Sequence, residues 1–251
     1  GCRASNYIPL LRKALEKAEL GFVPVVSVNL SGLEKNPGFS LRLPLVRKMV
    51  YAMLYGDLIV NVANQVRPYE VEPGAADAAI TFWQDQLIDG FQKGQGMSRA
   101  QMRDNFDAIC DYFAQIPVQG EPKIRVGVVG EIYVKFAPLG NNNLEQFLLS
   151  EGVEPVVPGL TDFIIFKIYN RVVDVDLYGG KWVKKAACQA FMKYIEACQR
   201  DMIEALERSN RFRAPGPFSQ LHELVQGYLG DGNKMGEGWL LTAEMLELIH
   251  S

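Results

Sequence analysis

Histidine and cysteine are scarce in this 251-residue chain: two histidines, His222 and His250, and four cysteines, Cys2, Cys110, Cys188 and Cys198. Two histidines leave little for a His-based zinc site or catalytic triad, and four scattered cysteines make no disulfide scaffold. A basic excess is also missing, since 26 Lys and Arg face 29 Asp and Glu for a net charge of −3. A dedicated nucleic-acid binder usually carries the opposite balance. No signal-peptide core follows the start GCRASNYIP. The most apolar stretch, Leu43 to Val66, is broken by Arg47, Lys48 and Asp57 and reads as a buried helix rather than a membrane span. The G-x-x-x-x-G-K-[ST], G-x-S-x-G and H-E-x-x-H patterns are all absent. The expectation is a soluble, cytoplasmic, reduced protein with no nucleic-acid or membrane partner.

What is present is ordinary globular composition, 48% hydrophobic and 22% charged. Residues 6–20 repeat Leu11, Leu15 and Ala18 on one face and Arg12, Lys13, Glu16 and Lys17 on the other, an amphipathic helix stopped at Gly21. FVPVVSVNL reads as a buried strand near 23–29. From about 42 to 116 the pattern is helical, and Ser98 with Gln101 has capping-box spacing. IRVGVVG (124–130), a loop, a helix from Leu144 to Ser150 and VEPVVP (153–158) then form a βαβ unit. Residues 163–178 suit strand or helix by composition, with length favouring helix. Further helices follow over 181–208, 217–229 and 237–250.

The expected fold is α/β and helix-rich, a small parallel sheet with flanking helices. Its divisions are a first α/β segment (1–41), a helical insertion (42–116) and a second α/β segment (117–251). The chain opens on a helix and closes on one without the strands an α/β order calls for, so it reads as a fragment of a larger polypeptide.

Two places offer chemistry. The loop Glu131–Asn143 leaves the C-terminal end of a strand, where open α/β sheets place their ligand crevice. Glu131 suits an acid, base or acceptor role. Tyr133, Lys135, Asn141, Asn142 and Asn143 are candidate ligand contacts, although Asn142 or Asn143 also suits a helix cap. Cys2, followed by Arg3 beside a helix start, has a lowered thiolate pKa available to it. Cys110, Cys188 and Cys198 read as small hydrophobes and both histidines as structural or solvent-facing. GDGNKMGEG (230–238) reads as a solvated connector, with Glu237 set to repel an anion from the helix start.

GCRASNYIPLLRKAL, PVVSVNLSGLEKNPGFSL, RVGVVGEIYVKFAPLGNNNLEQFLLSEG and GEGWLLTAEMLELI together resemble one family over nearly the whole chain. It is the domain of unknown function of large proteins described as activators of 2-hydroxyacyl-CoA dehydratases (CoA-substrate-specific enzyme activases). The resemblance implies a kinship with the dehydratase subunits, which hold a [4Fe–4S] cluster through cysteines on flavodoxin-like α/β domains. It implies that Cys2 matches a cluster-ligand position and that the Glu131–Asn143 loop and Glu237 belong to motifs facing a presumed cleft. ATP would be bound by other domains only, because nothing here resembles the ATPase phosphate loops. One cysteine cannot hold a complete cluster, so the isolated segment is expected to be inactive. Implied partners are the other domains of the same polypeptide, a dehydratase and an acyl-CoA. Two alternatives stay open, a non-catalytic docking domain between ATPase and dehydratase parts, and a small-molecule-binding α/β domain.

Overall fold

The computed structural model describes residues 6–25 and 42–250. The chain divides into two units, Gly1–Val46 and Arg47–Ser251. In the first, helix α1 (Tyr7–Lys17) forms where the amphipathic pattern places it, and Leu10 and Leu11 on it are exposed. The strand expected near 23–29 lies largely outside the described residues, and the part that is described, 23–25, is not strand.

The second unit is helical with a small parallel sheet. Helix α2 (Leu43–Val66) runs into it and presents Leu54, Leu58 and Val62, each wholly buried, to the core. α3 (Ala75–Gln92) and α4 (Arg99–Ala114) follow. The spacing of Met102, Phe106, Ile109, Cys110 and Phe113 turns all five inward on α4. Its start is the expected capping box: the Ser98 hydroxyl accepts from Gln101 N and Gln101 Oε1 accepts from Ser98 N, both at 3.2 Å.

Strand β1 (Arg125–Gly127) pairs in parallel with β2 (Glu154–Val156), in the register Arg125↔Glu154, Val126↔Pro155 and Gly127↔Val156. Between them lie short helices α5 (Ile132–Phe136), α6 (Pro138–Asn141) and α7 (Leu144–Ser150), and α7 packs on β2. The strand–helix–strand order is as the sequence indicates, but each strand has only three residues. Pro155 and Pro158 have no N–H to give a ladder, and beyond Val128, whose N–H reaches Val156 O at 2.8 Å, the chain turns into the loop.

α8 (Leu160–Tyr178) settles the ambiguous stretch as a helix, and it pairs with the long α9 (Trp182–Arg208). The inner half of α9 buries Ile195, Cys198, Met202 and Leu206. Its first turns bury no such face: Trp182 and Val183 are exposed, as are Leu177 and Tyr178 across the Gly179–Gly180 turn. α10 (Phe218–Val225) and α11 (Gly238–His250) pack together and close the core around Trp239. Trp239 is wholly buried, with the rings of Phe166 and His222 at 4.9 and 5.1 Å. One core thus joins α2, α4 and α8–α11, and the helices of 42–116 pack as part of it rather than apart from it. No described helix is long and apolar enough to cross a membrane.

Candidate functional site

The loop after β1 is built by its own polar residues. Glu131 is the N-cap of α5, its carboxylate accepting from Tyr133 N at 3.1 Å and Val134 N at 3.3 Å. Asn141 ties α5 to α7: its Nδ2 donates to Val134 O at 2.9 Å and its Oδ1 accepts from Leu144 N at 3.2 Å. Asn142 and Asn143 both take left-handed backbone, φ 57° and 56°, which asparagine tolerates better than most residues. Asn143 occupies the N-cap position of α7 but makes no side-chain cap, so Asn141 does that work. Tyr133 is half-exposed.

Lys135 is the one buried basic side chain among the described residues. It donates to Glu244 Oε1 of α11 at 2.8 Å. Glu237 is buried too, at φ 68°, an uncommon backbone for a side chain of this size. Its Oε1 accepts from Ile132 N at 3.2 Å. Glu237 is therefore no solvated connector residue; the GEGW segment and the GEIYVKF segment are bound to each other. Burial pushes the carboxyls of Glu237 and Glu244 up, with Lys135 acting in the opposite direction on both.

Beside this junction lies a cavity of about 420 Å³ between α2, β2, α8, α9, α10 and α11. Asp57 of α2 lines it and caps α8, whose own N-cap is Gly159. Asp57 accepts from Leu160 N and Thr161 N, each at 2.8 Å, and from Thr161 Oγ1 at 2.5 Å. Asp162, buried, accepts from Gln199 Nε2 at 2.8 Å, and Glu247 accepts from Gly216 N at 2.9 Å. Burial pushes all three carboxyls up, Asp162 to about 8. At the strand end Glu154 is buried between Arg213, Arg125 and the Tyr69 hydroxyl. Asn64, also buried, accepts at Oδ1 from the Arg67 guanidinium at 3.1 Å, while its Nδ2 has no hydrogen-bond partner.

A second cluster lies beside Trp239, whose ring is 5.1 Å from His222 and 5.9 Å from Tyr169. His222 Nε2 is 2.8 Å from Asp231 Oδ1, and the Tyr169 hydroxyl donates to Asp231 Oδ2 at 2.8 Å. Burial opposes it, but bonds from His222 and Tyr169 leave the Asp231 carboxyl below its usual range. His222 thus holds the 230–238 connector against α8 and α10.

Cys2 lies outside the described residues. Of the others, Cys110 and Cys198 are buried in the core, and burial pushes both thiols up, Cys110 to about 12. Among the described residues no group of three His, Cys, Asp or Glu is placed to hold a metal ion.

Asp57, Asp162, Glu244, Glu247 and Asn64 escaped the sequence reading. Only Asp57 left a trace, as the lone acid in the apolar run of α2; the rest are helix residues whose burial depends on distant partners. Comparison with family models, curated proteins and solved structures gave no match.

Proposed function

We propose that the chain is a segment of an iron–sulfur 2-hydroxyacyl-CoA dehydratase activator or dehydratase-like redox protein of the cytoplasm. In the full-length polypeptide it supports a [4Fe–4S] cluster and ATP-driven electron transfer. The supporting observation is that two of the segments bearing the family resemblance meet. GEIYVKF and GEGWLLTAEMLELI, about a hundred residues apart, are joined by Ile132 N–Glu237 and Lys135–Glu244. The parallel pair β1–β2 with its crossover is the element of a flavodoxin-like sheet that such a kinship calls for.

The described cysteines do not fit a cluster, being on core helices, and Cys2 alone is too few. The remaining ligands, the ATP site and any acyl-CoA chemistry belong to other domains of the parent or to a dehydratase. What these residues do is position: Glu131 and Asn141 shape the loop, and Lys135 fixes it to α11.

Anaerobic iron–sulfur reconstitution of the full-length parent tests this. Loss of iron and acid-labile sulfide in Cys2→Ala supports a ligand-donating segment; unchanged iron and sulfide overturn it. A docking role is the second reading, favoured by the exposed apolar tip Leu177, Tyr178, Trp182 and Val183.

A further inference from the structure

The α8–α9 hairpin ends in apolar side chains that the core does not take up. Leu177 and Tyr178 close α8, and Trp182 and Val183 open α9. All four are exposed, Tyr178 to 74% and Trp182 to 76%. The first buried residue of α9 is Ile195, so this end of the helix gives the core no fully buried side chain.

The charges around these groups do not balance. Between residues 174 and 185 there are two acids, and both are engaged: Asp176 by Lys185, Asp174 by Lys234 and Arg171. Lys234 also lies over the Tyr178 ring, its Nζ 5.4 Å from the centroid. Lys181 and Lys184 are exposed and, among the described residues, have no ion-pair partner. They stand at the start of α9, whose first turn holds no acid, although a helix start favours negative charge. The chain as a whole carries −3, yet at physiological salt charges beyond about 8 Å hardly reach this corner. Locally it is basic.

A specific protein interface takes about 20–30 residues a side, far more than four apolar groups and two free lysines. A lipid surface asks for no matching shape. Tryptophan and tyrosine settle at headgroup depth, ring inward and N–H or O–H toward water, and lysine stems lie beside them with the ammonium reaching out. We propose that the α8–α9 tip is a peripheral contact for a membrane surface rich in acidic phospholipid. Leu177, Tyr178, Trp182 and Val183 enter the headgroup layer, and Lys181 and Lys184 meet its anionic groups. No described helix can cross a bilayer, so the contact is superficial, and it departs from the expectation of no membrane partner. It rests on neither Cys2 nor the loop, and it assigns to lipid the residues that favour the docking reading.

The test is sedimentation of the full 251-residue chain with phosphatidylcholine vesicles, plain or containing about 30% phosphatidylserine. The expected result is partitioning at least about tenfold stronger onto the acidic vesicles, falling as salt is raised. Trp182→Ala lowers it about tenfold. Lys181→Gln and Lys184→Gln lower it about fivefold each. All three positions are exposed, so the variants keep the native circular dichroism. Equal partitioning onto the two vesicle types overturns the proposal, as does undiminished binding in the variants. Sedimentation with neither vesicle also overturns it and returns the tip to the docking reading.

Discussion

Lys135 and Glu244 form a buried ion pair that fastens the loop after β1 to the last helix. Their side chains are 2% and 0% exposed, and Glu244 Oε2 has no partner at all. Taking two charges out of water costs most of what their attraction returns, so the pair contributes position more than net stability. Removing one partner is different, because the other is left charged and dry. Lys135→Met is expected to cost about 3–5 kcal/mol in urea denaturation. The double variant Lys135→Met/Glu244→Leu should recover most of that loss. A double variant no more stable than the single one would show that the two groups are not coupled.

Asp57 acts as a helix cap supplied from another helix. Three donors of α8 converge on its carboxylate, and the cap position itself is Gly159. A Cβ at 159 would lie 2.7 Å from Asp57 Oδ2, so the glycine is what lets the carboxylate approach. Asp57→Ala is expected to lose about 1–2 kcal/mol, the usual cost of an N-cap. Amide exchange at Leu160 and Thr161 should accelerate before that of the α8 interior. Gly159→Ala should reproduce the same exchange pattern with Asp57 intact; protection unchanged in both variants would remove the cap from the account.

Local signals carried most of the helices. The 3.6-residue repeat of Met102, Phe106, Ile109 and Phe113 and the Ser98/Gln101 box fix α4 without any tertiary knowledge. The parallel strands were legible as apolar runs bounded by glycine and proline, though not their shortness, which depends on where Val128 stops pairing. In the loop, residue types identified a special segment but not its workings. Nothing local separates an asparagine aimed at a ligand from Asn141, which bonds Val134 O and Leu144 N. The cavity acids were invisible for a related reason. Asp162 reads as a first-turn helix acid, favourable at an exposed N-terminus; only the arrival of α9 with Gln199 makes it a buried one.

That burial has a pH consequence. The Asp162 carboxyl is pushed up to about 8 in the folded protein, whereas in the unfolded chain it titrates near 3.9. A raised native value means the folded state binds the proton more tightly, so this stabilisation is fully present below about pH 4 and is lost as pH rises through about 8. Thermal midpoints measured between these limits should fall with pH in the native sequence. In Asp162→Asn the amide cannot ionise, and the variant should gain on the native protein steadily across the same range. Parallel curves for the two proteins would contradict the assignment.

The connector before α11 should tolerate change at one glycine and not at another six residues on. Gly236 and Glu237 run at φ 62° and 68°, and the Trp239 N–H then turns back onto Asn233 O at 2.7 Å. A Cβ on Gly238 would lie 1.7 Å from that same carbonyl oxygen, a backbone atom with no rotamer to escape into. Gly238→Ala must therefore open the turn, and opening it moves Trp239 out of the ring of Phe166 and His222. At Gly232 a Cβ meets nothing within 4 Å, and φ there is not in the left-handed region. Gly232→Ala is expected to stay within about 0.5 kcal/mol of the native protein, while Gly238→Ala loses about 3 kcal/mol or more and its near-ultraviolet tryptophan signal. Equal behaviour of the two variants would mean that the tight turn is not what seats Trp239.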